Sequence, residues 1–196
     1  MTRNTGHHAV SNKIPHDEAA QARLNRAHHV AGHATLAMAV GVDVEVLCIV
    51  EDRNWFHVHR DGGRFIDQGT MLHIPHRWPA NPFEQSKLAE TLIRIALAGP
   101  CAEMVHRDEP CSVDTIQEDE IDWQLAWKTS KRLLSGDMAR VKYQVEEIER
   151  TTCFLRHEQY WEAVSHISAA LLEHGTFKGK KCKELFERAV LSGASA

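Results

Sequence analysis

No stretch of this 196-residue chain is apolar for the roughly 20 residues needed to cross a bilayer, and its polar start, Met1-Thr2-Arg3-Asn4-Thr5, has no signal-peptide core. A membrane span is therefore not expected, and the cytoplasm is the expected compartment. Basic charge is also scarce: 23 Lys and Arg stand against 27 Asp and Glu, a formal net charge of -4, so the electrostatic footprint of a nucleic-acid binder is missing. The five cysteines, Cys48, Cys101, Cys111, Cys153 and Cys182, are odd in number and never spaced Cys-x-x-Cys. This argues for reduced thiols, against a disulfide framework and against a separate structural zinc site. There is no Gly-x-x-x-x-Gly-Lys-Ser/Thr loop for nucleotide phosphates; Gly175-Thr176-Phe177-Lys178-Gly179-Lys180-Lys181 has the wrong spacing and no hydroxyl for magnesium. Repeats and low-complexity blocks are absent too. The length is enough to bury a real core, and suits one domain over 17–196 behind a loose polar leader, 1–16, that carries His7, His8 and His16.

The most informative absence is one carboxylate. His29-Val30-Ala31-Gly32-His33 puts two imidazoles one turn apart on the same face of a helix, as the H-E-x-x-H metalloprotease signature does, with valine where that signature has its glutamate base. With 14 histidines in 196 residues, about one His-x-x-x-His pair arises by chance. Spacing by itself therefore also describes two solvated imidazoles on a surface helix. The surrounding sequence points inward instead: Ala27, Val30, Ala31, Ala34, Ala37 and Met38 make the segment from about Asp17 to Val40 apolar over most of its circumference, and Gly41 stops it. Histidines inside a buried helix need hydrogen-bond partners or a metal.

The rest reads as mainly α (α+β), with a small β-sheet or hairpin. Val44 to Val50 has strand composition, and Trp55 to His59 with Gly62-Gly63 and Arg64 to Ile66 suggests a glycine-turn hairpin. Thr70 to Ala80 reads as a loop. Asn81-Pro82-Phe83-Glu84 starts a helix, with Asn as cap, Pro first and Glu third, which Gly99-Pro100 should bend or interrupt. Further helices are predicted over about 118–134, 138–156, 158–174 and 179–191, broken at Ser135-Gly136-Asp137 and Gly175.

In order along the chain, His29-Val30-Ala31-Gly32-His33, the small-residue helix to Val40, the strand Val44 to Val50, Gly99-Pro100-Cys101-Ala102-Glu103, Asp122-Trp123-Gln124-Leu125-Ala126 and the stretch Trp161 to Val190 resemble the peptidase domain of the FtsH-type zinc metalloproteases. The resemblance spans roughly Arg23 to Val190, and covers the peptidase part without the AAA+ ATPase module. It implies a zincin-like helical metallopeptidase fold and a Zn2+ ion held by His29, His33 and Asp122, with Glu118 as the nearest substitute for the third ligand. Asp122 also fits an acid enriched in a first helical turn. Glu103 is expected behind a ligand, in support of it, or on a helix surface.

In such a peptidase zinc polarises the scissile carbonyl while the glutamate moves the water's proton. Val30 can do neither. His28 points away from the ligand face, which leaves Glu103 or Glu118 as substitute bases. Two readings stay open: a weak, ATP-independent zinc metallopeptidase acting on unfolded or extended polypeptide, or a pseudopeptidase that binds peptide or a protein partner without cutting. An edge strand near 44–50 or 55–59 would receive extended peptide. A metal-free helical scaffold is the third alternative, and a homo-oligomer or a separate ATPase partner is compatible with each.

Overall fold

The structure, a computed structural model, describes residues 16–50, 63–66, 70–73, 78–116 and 121–193. Its elements run α1 (His16–Ala39), β1 (Val44–Cys48), β2 (Gly63–Ile66), β3 (Thr70–His73), α2 (Pro82–His106), α3 (Ile121–Ser130), α4 (Asp137–Arg156), α5 (Glu158–His174), β4 (Thr176–Lys178) and α6 (Gly179–Gly193). The molecule is thus mainly helical with one small antiparallel sheet. Among the described residues no helix is long and apolar enough to cross a membrane.

Helix α1 ends as its sequence requires. Gly41 adopts φ +78°, which lets Val42 N–H reach Ala37 O at 2.8 Å and Gly41 N–H reach Met38 O at 3.1 Å, satisfying carbonyls the helix leaves open. Helix α2 begins at the expected cap, where Asn81 Oδ1 accepts from Phe83 N–H at 2.8 Å.

Helix α2 is the central wall of the fold, packed against α1, α3 and α4. Of the two outcomes expected at Gly99-Pro100, a bend or an interruption, the second does not occur: the helix continues to His106. A proline inside a helix costs about 3 kcal/mol. Against that stands the burial of Leu92, Ile93, Ile95, Leu97, Ala98, Cys101, Ala102 and Met104 along the same helix, each large apolar side chain contributing roughly 1.5–3 kcal/mol. Tertiary packing therefore outweighs the local rule.

Helices α1 and α2 approach closely because Gly32 has no side chain. A Cβ there would lie 2.4 Å from Ala98 O and 2.5 Å from Ala102 Cβ. Ala27, Ala31, Ala34 and Ala37 of α1 are fully buried as well. On its other side α1 packs against α5, which in turn carries α6.

The sheet has strand order β2-β3-β1-β4, every pairing antiparallel. Two sequence expectations change here. Thr70 to His73 is a strand rather than loop, because it pairs on both sides, with Gly63–Ile66 and with Val44–Leu47. The Arg64–Ile66 strand pairs with β3 on one side, and its expected hairpin partner, Trp55 to His59, falls outside the described residues. Finally, β1 is not an edge strand: β3 and β4 occupy its two sides, so it has no free edge to offer an extended peptide.

Candidate metal centre

The two histidines of α1 face α2 and α3. His33 is fully buried, and its Nδ1 lies 2.6 Å from Ile95 O on α2. A carbonyl can only accept, so the ring proton sits on Nδ1 and the Nε2 lone pair points away from Ile95. His29 repeats the arrangement one turn earlier, with Nδ1 3.3 Å from Glu103 Oε2. With Nδ1 bonded behind it, each ring turns its Nε2 towards the same space, the orientation that metal-binding histidines receive from a carbonyl or carboxylate behind them.

Asp122 closes that space from the first turn of α3. Its Oδ2 lies 2.9 Å from His29 Nε2 and 3.2 Å from His33 Nε2. One ligand atom from each of the three residues falls within 4.8 Å of the other two. Tetrahedral zinc with bonds of roughly 2 Å sets its ligand atoms about 3.3 Å apart, so the His–Asp spacing is close to that of a shared ion. His29 Nε2 is in hydrogen-bond contact with Asp122 Oδ2, which leaves the other donors of this buried place less well satisfied. His33 Nε2 and Asp122 Oδ1 are in fact buried with no hydrogen-bond partner. Unsatisfied groups of this kind are costly, and a cation among them would satisfy both.

Space for an ion comes from α2. A Cβ at Gly99 would stand 2.2 Å from His33 Nε2 and 2.7 Å from His29 Nε2, so the missing side chain is what leaves room beside both nitrogens. The sequence offered Gly99 only as part of a motif; its role against the imidazoles appears once the helices are packed. The three residues therefore fit a divalent metal, by donor type, by ring orientation and by available volume.

Charge in the site is arranged accordingly. Burial opposes ionisation of Asp122, but His33 and His29 favour it more strongly and hold the carboxyl below the ordinary carboxylate range. Glu103 is also held low, chiefly by its bond with His29 against the cost of burial, with Arg107 adding to the effect at 3.3 Å from Oε1. Glu103 accordingly sits behind His29, on the side of the ring opposite Asp122. Of the two substitute bases, it has the geometry of a support for the ligand, and Glu118 lies outside the described residues.

Val30 is fully buried and part of the apolar core. Nothing at this position can carry a proton. His28, rejected as a base from its direction on the helix, indeed turns elsewhere: its ring stacks on His106 with centroids 3.7 Å apart, and its Nδ1 lies 3.0 Å from Leu24 O. Burial pushes the His28 ring below its ordinary pKa. His106 was not singled out by the sequence, where it has no recognisable partner spacing.

No model of a known protein family matches the chain, and no curated protein matches it either.

Proposed function

We propose that the chain is a zinc-binding, FtsH-peptidase-like domain working as a pseudopeptidase, with His29, His33 and Asp122 holding the ion and, among the described residues, no group placed to serve as general base. The observation that carries this reading is the convergence of His29 Nε2, His33 Nε2 and Asp122 Oδ2 beside the side-chain-free Gly99, next to a buried Val30. Two imidazoles and one carboxylate suit zinc, which when bound would supply a Lewis acid. The chain's own residues position it: Ile95 O and Glu103 orient the rings, and Gly99 keeps their nitrogens accessible.

Hydrolysis needs a proton carrier as well. General acid-base groups contribute roughly 10²- to 10⁴-fold in rate, and Glu103 is occupied with His29 and Arg107. Cleavage of unfolded polypeptide by this chain is therefore absent or very slow. The resemblance supports retained binding of an extended peptide or protein partner, now at a surface other than β1. A cytoplasmic location is part of the same proposal.

Elemental analysis of the purified chain should find about one zinc per chain, and it separates zinc from iron, which a two-histidine, one-carboxylate set also takes. Incubation with casein should give no cleavage beyond the chelated control. Metal far below one equivalent after zinc loading would overturn the site. Robust chelator-sensitive cleavage would keep the site and overturn the pseudopeptidase reading.

A further inference from the structure

The cysteines outside the metal centre differ sharply in their surroundings. Cys48 is buried, and its sulfur accepts a hydrogen bond from Thr176 Oγ1 at 2.9 Å. Cys182 is fully buried, and burial pushes its thiol up to about 12, which leaves it inert. Cys153 is exposed, on α4. Cys101 and Cys111 form the exception, because two thiols meet.

Cys101 projects from α2 and is fully buried. Cys111 comes from the connection between α2 and α3, is half-buried, and lies with its Sγ 3.6 Å from Cys101 O. Arg156 of α4 lies near the Cys111 thiol. Such an arrangement has the parts of a two-thiol redox site: one accessible sulfur, one sheltered sulfur beside it, and a positive charge nearby.

We infer that Cys101 and Cys111 are a peroxide-reactive pair that closes reversibly into an intrachain disulfide. Cys111 attacks and Cys101 resolves. Cys111 is half-buried and within reach of peroxide, whereas Cys101 is fully buried; in the same sense, the neighbouring Cys101 thiol pulls the Cys111 thiol below its ordinary range, and Cys111 and burial push the Cys101 thiol up. Division of labour follows from that difference, since the thiolate is the nucleophile.

The reaction balances with hydrogen peroxide as oxidant. Cys111 thiolate attacks one peroxide oxygen, an S–O bond forms and the O–O bond breaks, and the departing hydroxide takes up a proton as water. Sulfur is oxidised by two electrons to a sulfenic acid and peroxide is reduced. The Cys101 sulfur, losing its proton, then attacks the Cys111 sulfur, so that an S–S bond forms, the S–O bond breaks and a second water leaves. The disulfide would tie the α2–α3 connection, which leads to Asp122, onto α2.

The test uses the full chain treated with about one equivalent of hydrogen peroxide. Two of the five thiols should be lost, the intact mass should fall by two hydrogens, and peptide mapping should join Cys101 to Cys111. Dithiothreitol should restore all five thiols. In Cys101→Ala, dimedone should label Cys111, whose sulfenic acid then has no resolving partner. Cys111→Ser, at a half-buried position, should form no intrachain link, and does not depend on a core substitution folding. A disulfide through Cys153, or dimedone labelling confined to Cys153 while Cys101 and Cys111 stay reduced, would overturn the inference.

Discussion

Helix α2 has a buried carboxylate on each of two sides, and the two are treated in opposite ways. Towards α4, Glu147 is fully buried and accepts from Arg94 Nε at 2.7 Å and Arg150 Nη1 at 2.6 Å. Towards α1 and α3, Asp122 is 3% exposed and faces the Nε2 atoms of two imidazoles whose Nδ1 atoms are bonded on the far side. The first carboxylate has its counter-charge built into the fold. The second sits in a set of donors that could hold a cation. Burying an ionised carboxylate alone costs several kcal/mol, so a seam of the first kind is self-sufficient, and one of the second kind would be strengthened by a cation. Burial of charge therefore tells little until the donors and acceptors around it are counted.

The largest effect that sharpens this contrast is on metal content. Asp122→Ala and His33→Ala should each lower zinc affinity by more than about 100-fold, because three ligands become two. Neither should disturb the Arg94–Glu147 pair. Zinc content measured after dialysis against a weak competing chelator checks this; retention of a full equivalent in either variant would break the comparison.

Gly99→Ala is expected to come next. Alanine favours a helix over glycine by about 1 kcal/mol, so propensity predicts a more stable protein. The site predicts the reverse, since the added methyl would meet His33 Nε2 at 2.2 Å while that ring is tethered to Ile95 O. Overpacking of this kind costs roughly 1–3 kcal/mol. A lower melting temperature together with lost zinc is the expected outcome, and a higher melting temperature with zinc intact would contradict it.

On the α4 side the expected effect is on stability and not on metal. Arg94→Met should cost about 2 kcal/mol, below the full penalty for a broken buried pair, because Arg94 is 40% exposed and Arg150 still holds Glu147. Urea unfolding with unchanged zinc content would fit the two-seam picture. Loss of zinc in Arg94→Met would mean that the seams are coupled through α2.

How much of this was legible beforehand depends on the range of the determinant. The end of α1 was written locally in Gly41, and the start of α2 in Asn81-Pro82, so both could be read from the chain. The pairing of His29 with His33 followed from helical periodicity. Asp122 came from resemblance alone, since nothing local distinguishes a ligand from an acid in a first helical turn. Strand β3 was missed because it is specified by partners on both sides, and β4, Thr176–Lys178, because three residues carry no period. Which of the two outcomes holds at Pro100 was not legible for a related reason: its local cost is visible in sequence, whereas the burial that outweighs it is not.

The smallest effect expected is at the start of α2, which both seams share. Asn81 Oδ1 accepts from Phe83 N–H at 2.8 Å, and replacing such a cap by alanine costs about 1 kcal/mol. Phe83 is exposed, so the substitution loosens the first turn without opening the core. His33 lies against Ile95 and Gly99, more than three turns further along α2, at about 3.6 residues per turn, and the Arg94 contact is equally remote. Asn81→Ala should therefore lower stability by that amount while leaving zinc content and the Arg94–Glu147 contribution unchanged. A double-mutant cycle with Arg94→Met checks it: additivity within about 0.5 kcal/mol is expected for sites this far apart. Strong non-additivity would mean that α2 shifts as a rigid rod when its first turn frays, and the two seams would then have to be treated as one.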